Sequence, residues 1–238
     1  MPGSSDNKTP FNAAATDVAE TPVPVPPEGK LLFEAAARND VATVLKLVVD
    51  NPDTACAWKS KESMSALMYA AREGAREAAW VLLKADTKHI DDKNPNGSTA
   101  LMFAAFAGKA IVAEQIIKAG ADINHINKNG HTALMSAAAH GFKNTVTLLL
   151  QYNADVTPKD GDGLTALDYA RENGYVEIIE LLKAAGEKQE ADKIRTAQER
   201  AAAALAEDVP GTKLRRTNDD NTEALRQLEK NLVRAKLT

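Results

Sequence analysis

Five leucines, Leu32, Leu67, Leu101, Leu134 and Leu167, stand 35, 34, 33 and 33 residues apart, and the chain around them repeats. The copies read Ser65-Ala-Leu-Met, Thr99-Ala-Leu-Met, Thr132-Ala-Leu-Met and Thr165-Ala-Leu-Asp. Paired alanines follow at Ala35-Ala36, Ala70-Ala71, Ala104-Ala105 and Ala137-Ala138, and a glycine follows at Gly74, Gly108, Gly141 and Gly174. An apolar pair closes each copy: Leu82-Leu83, Ile116-Ile117, Leu149-Leu150 and Leu181-Leu182. A period near 33 residues that recurs this often defines a repeat architecture. One unit of that length cannot bury its own apolar face, so the core must form by stacking neighbours.

The internal logic of a unit follows from its residues. Gly97, Gly130 and Gly163 stand two residues before Thr99, Thr132 and Thr165 and suit a tight turn with positive φ. The three threonine hydroxyls are placed to cap the helix that follows. Alanine pairs let two helices approach closely, and the mid-unit glycine ends the first helix in the left-handed conformation. The second helix carries leucine or isoleucine on one stripe. A further apolar column, Cys56, Ile90, Ile123 and Val156, follows it at spacings of 34, 33 and 33 and is expected to plug the exit of the chain from the helices.

These residues resemble the ankyrin repeat, whose pattern is a β-turn finger, a helix opening Thr-Pro-Leu-His-x-Ala-Ala, a Gly-His pair and an apolar outer helix. The resemblance is strong over 97–124, 130–156 and 163–186 and good over 63–90. It is weak over 30–57, where Asn39 replaces the glycine and no threonine precedes Leu32, as in an N-terminal cap. This chain has Ala66, Ala100, Ala133 and Ala166 in place of proline, and Met68, Met102 and Met135 in place of histidine. Methionine there implies a drier, softer seam between the first helices. The resemblance implies an all-α solenoid of stacked helix-turn-helix units with short β-turn fingers, over repeats at about 30–60, 61–94, 95–127, 128–160 and 161–186.

The flanks differ in composition. Residues 1–29 hold six of the ten prolines, ending in Pro22-Val-Pro-Val-Pro-Pro27, and read as a disordered arm with a polyproline II stretch. Pro24-x-x-Pro27 has no flanking arginine, which favours a spacer over an SH3-type ligand. Residues 187–238 hold 11 basic and 10 acidic residues and a break at Val209-Pro210-Gly211. Two helices are expected there, at about 187–207 and 221–236, as a charged C-terminal extension. The second has a stripe of Leu225, Leu228, Leu232 and Ala235 that either frays or meets a partner helix. Lys213-Leu-Arg-Arg216 is a short basic cluster.

Composition narrows the function. The net charge of −4 gives no pull toward nucleic acid or an anionic membrane. No apolar run approaches the length of a membrane span, and the N-terminus lacks a secretory pattern, so a cytoplasmic protein is expected. The single cysteine, Cys56, excludes an internal disulfide framework and reads as a core residue. His89, His125, His131 and His140 lack metal-ligand spacing, and Asp160-Gly-Asp162-Gly163 lacks the later ligands of a calcium loop. Gly108-Lys109 is not a P-loop, and no Gly-x-Ser-x-Gly occurs. These absences argue against an enzyme and leave no metal or cofactor to assign.

In ankyrin proteins partners meet the concave face, made of finger tips and the exposed side of the first helices. Carried onto this chain, that face includes Tyr69, Arg72, Glu73, Phe103, Phe106, His131, His140 and Tyr169. Tyr69, Arg72, Phe103 and Phe106 form its expected centre, although Phe103 and Phe106 equally suit the seam between repeats. His131 and His140 are expected at variable surface positions. Trp80 interrupts a column of Glu114, Thr147 and Glu180 on the convex side. It either marks a contact or packs on the loop 84–92. The leading expectation is a non-enzymatic adaptor or scaffold that binds a protein partner, monomeric by itself or part of a larger complex. The alternatives are a structural subunit of a cytoskeletal or axonemal, microtubule-associated assembly in the cytoskeleton or cilium, and a regulatory or inhibitory subunit of an enzyme.

Overall fold

The structure, a computed structural model, describes residues 27–207 with the exception of Asp53. The prolines before Pro27, the basic cluster and the leucine stripe after residue 220 lie outside the described residues. Among the described residues there are ten α-helices, one 3-10 turn at Ala55–Ala57 and no strand. The helices form five hairpins. The first of each pair are α1 (Pro27–Arg38), α3 (Ala66–Glu73), α5 (Ala100–Phe106), α7 (Ala133–Ala139) and α9 (Ala166–Glu172). The second are α2 (Val41–Asp50), α4 (Arg76–Ala85), α6 (Ala110–Lys118), α8 (Lys143–Gln151) and α10 (Val176–Glu207).

The first helices pack in one row and the second helices in another. The inner row is lined by Ala70, Ala71, Ala104, Ala105, Ala137 and Ala138, all fully buried. With only a Cβ between backbones, these helices approach more closely than the leucine- and isoleucine-bearing outer ones. Leu32, Leu101 and Leu134, with Met68, Met102 and Met135, fill the seams without exposed surface of consequence, so the seam is dry as the methionines imply. Leu167 is only half-buried.

Capping departs from expectation at one repeat. The Ser65, Thr132 and Thr165 hydroxyls accept the backbone N–H of Met68, Met135 and Asp168. The Asp168 carboxylate completes the reciprocal box by accepting from the Thr165 backbone at 3.1 Å. Thr99 makes no such bond, and its hydroxyl is buried with no hydrogen-bond partner among the described residues. The equivalent hydroxyl therefore stabilises one helix and costs desolvation in another.

The weak first repeat is explained by Asn39. Its φ of 58° shows that it does take the left-handed position held elsewhere by glycine, which asparagine tolerates better than other side chains. Unlike glycine, it also works on its neighbour. Its amide oxygen accepts the Ala78 N–H at 2.9 Å, and its amide nitrogen donates to Glu77 at 2.7 Å. Since α4 has no side-chain cap of its own, Asn39 caps it from the preceding repeat. The Glu77 carboxyl is held down to about 2, first by Asn39 and then by Arg76.

Two boundaries move. Pro27, Glu28 and Gly29, assigned by sequence to the arm, form the first turn of α1, with proline at a position whose missing N–H costs nothing. The charged extension does not begin as a separate helix near 187, because α10 runs unbroken through Gly186. Gln189 holds this stretch against the turn after α8. Its amide donates to the Ala154 carbonyl at 2.7 Å and accepts the Val156 N–H at 3.3 Å. The compact unit of the repeats ends at Glu190, and the residues from Ala191 form a second unit whose described part is the rest of that helix.

The expected plug is also only partial: Ile90 is buried, whereas Cys56, Ile123 and Val156 are half-buried. Replacing Thr99 by valine is expected to leave stability unchanged or raise it by about 1 kcal/mol. Replacing Thr132 by valine is expected to lower it by about 1 kcal/mol. Urea denaturation of the two full-length variants checks both signs.

Candidate functional site

The fingers are built by a side-chain device that repeats with the helices. Asn94 accepts the Ser98 N–H at 2.8 Å. Asn127 accepts the Asn129 and His131 N–H groups, both at 3.0 Å. Asp160 accepts those of Asp162 and Leu164 at 3.0 and 2.8 Å. Ser60 does the same for Glu62 and Met64. Each side chain brackets its own turn, as short polar side chains do. Successive tips are then joined by the Lys128 N–H on the Asn96 carbonyl and the Gly161 N–H on the Asn129 carbonyl. Gly130 is required for this approach, because a Cβ there would stand 2.6 Å from the Asp160 Cα. Ser60, Asn94, Asn127 and Asp160 are spaced 34, 33 and 33 apart, so the signal was present in the sequence, obscured by three residue types at one position.

Beside the fingers the inner helices carry an aromatic strip. Tyr69 stacks on Phe33 with centroids 5.7 Å apart, and the Arg72 guanidinium lies 5.3 Å from the Tyr69 ring centroid. Arg72 also donates to Glu73 at 2.9 Å, and the Tyr69 hydroxyl donates to Glu62 at 3.4 Å. Two repeats along, His140 meets Phe106 edge-on at 4.6 Å and stacks on Phe142 at 6.0 Å. The His140 Nδ1 lies 2.8 Å from the Ser136 carbonyl, which can only accept, so Nδ1 carries the proton and Nε2 is left as the acceptor. Phe142 in turn lies against Gly108, where a Cβ would come within 2.6 Å of its ring. Tyr69, Arg72, Phe106 and His140 are all half-buried: fixed by neighbours, yet with surface to offer.

Other expected members of the face move inward. Phe103 is buried, only 6% exposed, and belongs to the core of the seam. Its repeat equivalent Ser136 is buried too, because the inner helices approach too closely to leave that position open. His131 is also buried, not on the surface. Its Nε2 stands 3.6 Å from the Asp160 carboxylate, which also accepts the Tyr169 hydroxyl, and the His131 and Tyr169 rings are 5.7 Å apart. This trio locks the fourth finger to the fifth. Burial pushes the His131 pKa down, with Asp160 opposing. Burial pushes Asp160 up, but the Tyr169 hydroxyl and two backbone N–H groups outweigh it and hold the carboxyl low. Burial, then the bond to Asp160, raises the Tyr169 phenol. Glu73 is exposed at the rim.

Trp80 is 54% exposed on α4, so the loop 84–92 does not cover it. Cys56 is half-buried, and its thiol is pushed up to about 11, by burial first and by Asp86 and Asp92 next. Among the described residues no group of three or more His, Cys, Asp or Glu side chains is arranged to hold a metal ion, and no helix is long and apolar enough to cross a membrane.

Five helical hairpins in two rows, joined by bracketed turns and bearing an aromatic strip on the inner row, define an α-solenoid. A family model described as ankyrin repeats, in three copies, matches residues 32–127 and 106–194. The chain belongs to the ankyrin-repeat family. The comparison with curated proteins returned no match. Ankyrin repeats are in general non-catalytic modules of protein–protein interaction.

The His131 environment sets a pH dependence. Its folded pKa lies below its unfolded one, so the unfolded chain takes up a proton first as pH falls. Stability from this group is complete above the unfolded value of about 6.5 and declines as pH drops through the folded pKa. Thermal unfolding is expected to shift down between pH 7 and pH 5. The shift is expected to be smaller in His131→Gln, which cannot take up that proton.

Proposed function

We propose that this protein is a non-enzymatic adaptor that holds one protein partner on its concave face. The contact is centred on Tyr69, Arg72, Phe106 and His140, with Glu73 at the rim. The supporting observation is the strip itself. Tyr69 is fixed between Phe33 and Arg72, and His140 between Phe106 and Phe142, so both anchors bind with little entropy left to lose. Tyrosine and arginine are the residue types that dominate interface energies, and here they lie together on α3, in the second helix of the inner row. Tyr169 and His131 support the far end of the face as structural members, through Asp160. The reading places the protein in the cytoplasm and assigns it no nucleic acid, membrane or cofactor.

The test is affinity capture with mass spectrometry from the cells that make the protein. Full-length chain is compared with the full-length Tyr69→Ala, Phe106→Ala double variant. A shared set of captured proteins weakened about tenfold or more in the double variant is the expected outcome. Trp80→Ala, on the opposite face, is expected to capture normally. Equal capture by the double variant would place the partner elsewhere.

A further inference from the structure

The concave face has a charge pattern that its aromatic strip does not account for. From Lys93 to Ala154 the chain has two carboxylates, Glu114 and Asp122, although the whole chain carries 33 acidic residues. Glu114 lies on α6, paired with Lys118 at 2.6 Å, and Asp122 lies in the turn that follows α6. The fingers and inner helices of repeats three and four therefore hold no acid. Lys93 and Lys128 stand exposed on the fingers, and Lys109 is half-buried at the turn after α5. None of these three ammonium groups is in an ion pair among the described residues.

Two of these cations are held in place. A Cβ at Gly74 would stand 2.8 Å from the Lys109 Cδ, and one at Gly97 would stand 3.5 Å from the Lys128 Cγ, so each lysine stem lies along a glycine of the preceding repeat. Less side-chain entropy is then left to lose when the ammonium meets a counter-charge. Acid returns at both ends of the stretch, with Glu62 and Glu73 in repeat two and Asp162 and Glu172 in repeat five, all exposed. The cationic part of the face is thus confined to two repeats.

We infer that the partner lays an acidic segment in extended conformation on this part of the face. Its carboxylates at positions i and i+2 meet Lys93 and Lys128, and an apolar side chain at i+1 meets Phe106 and His140. The inference rests on the concave reading above and adds the chemistry of the partner. The geometry supplies the alternation. The fingers precede the inner helices, whereas Phe106 is the last residue of α5 and His140 follows the end of α7. Seven residues of α5 span about 10 Å, so the lysine edge and the aromatic edge lie on either side of a space that one extended segment fills. Successive side chains of such a segment point to opposite sides, which sends i and i+2 to one edge and i+1 to the other.

Length and charge favour a peptide over a nucleic acid. Helices pack about 8–10 Å apart, so two repeats span about 16–20 Å, the length of about five or six extended residues. A nucleic-acid strand would run on to the carboxylates of repeats two and five, whereas a short acidic run ends before them. Repulsion from Glu62 and Glu73 on one side and from Asp162 and Glu172 on the other also fixes where along the array the acidic run sits.

The test pans phage-displayed random dodecapeptides on the full-length protein and titrates the most enriched peptide, labelled with fluorescein, by anisotropy. Enriched peptides are expected to carry Asp or Glu on both sides of an aromatic or aliphatic residue. Affinity is expected to fall about tenfold or more in the Lys93→Glu, Lys128→Glu double variant, whose exposed positions leave thermal unfolding unchanged. It is expected to fall in Tyr69→Ala, Phe106→Ala as well, and to hold in Lys84→Glu, an exposed lysine of the outer row. Peptides that bind the lysine double variant as tightly as the parent, yet lose affinity in Tyr69→Ala, Phe106→Ala, would overturn the acidic partner and leave the concave contact standing. Peptides indifferent to both double variants would overturn both. An equal loss in Lys84→Glu would reduce the effect to net charge and overturn the assignment to Lys93 and Lys128. An oligothymidylate that matches the best peptide in affinity, or a panning that enriches nothing, would also contradict an acidic peptide.

Discussion

The array depends on how closely its inner helices approach. At Ala70, Ala71, Ala104, Ala105, Ala137 and Ala138 nothing beyond a Cβ separates one backbone from the next. That contact sets the pitch of the stack. It also decides which side chains reach solvent. At the position after each methionine the approach leaves no opening in the middle repeats, which is why Phe103 and Ser136 are buried while Tyr69 and Tyr169, nearer the ends, keep part of their surface. An added methylene at this seam has no cavity to enter and would cost about 1–3 kcal/mol in strain.

Around that seam the polar groups act between repeats more than within them. Asn39 caps the outer helix of the next unit, Gln189 holds α10 to the turn after α8, and the His131–Asp160–Tyr169 trio joins two fingers. The glycines follow the same rule. Lys109, Phe142 and Tyr175 lie against Gly74, Gly108 and Gly141 of the preceding unit, so these positions are constrained by a neighbour's side chain as well as by their own φ. Stability built this way is a sum over interfaces. A fixed surface such as the Tyr69–His140 strip is then a property of several repeats at once.

The repeat period, the helix pairs, the dry methionine seam and the left-handed glycines were legible in the sequence, because each is a residue type recurring at a constant spacing. What escaped has physical causes. The Thr99 hydroxyl matches its repeat partners in sequence but not in hydrogen bonding, a difference set by local geometry. His131 reads as a surface residue until Asp160, a repeat away, is seen to receive it. The bracket of Ser60, Asn94, Asn127 and Asp160 hides behind three chemistries that place an oxygen in the same spot. The start of α1 was masked by prolines, one of which is a good first helical residue. Of the expected site, Tyr69, Arg72, Phe106 and His140 keep partly open surface, whereas Phe103 and His131 belong to the interior.

The most direct test of the account is hydrogen–deuterium exchange on the full-length protein, free and bound to a captured partner. The account predicts added protection in the fingers and at the ends of the inner helices, over residues 61–74, 95–108 and 128–141. It predicts none in the outer helices α6 and α8. Protection confined to the outer helices, or to residues beyond Glu190, would contradict a partner seated on the concave face.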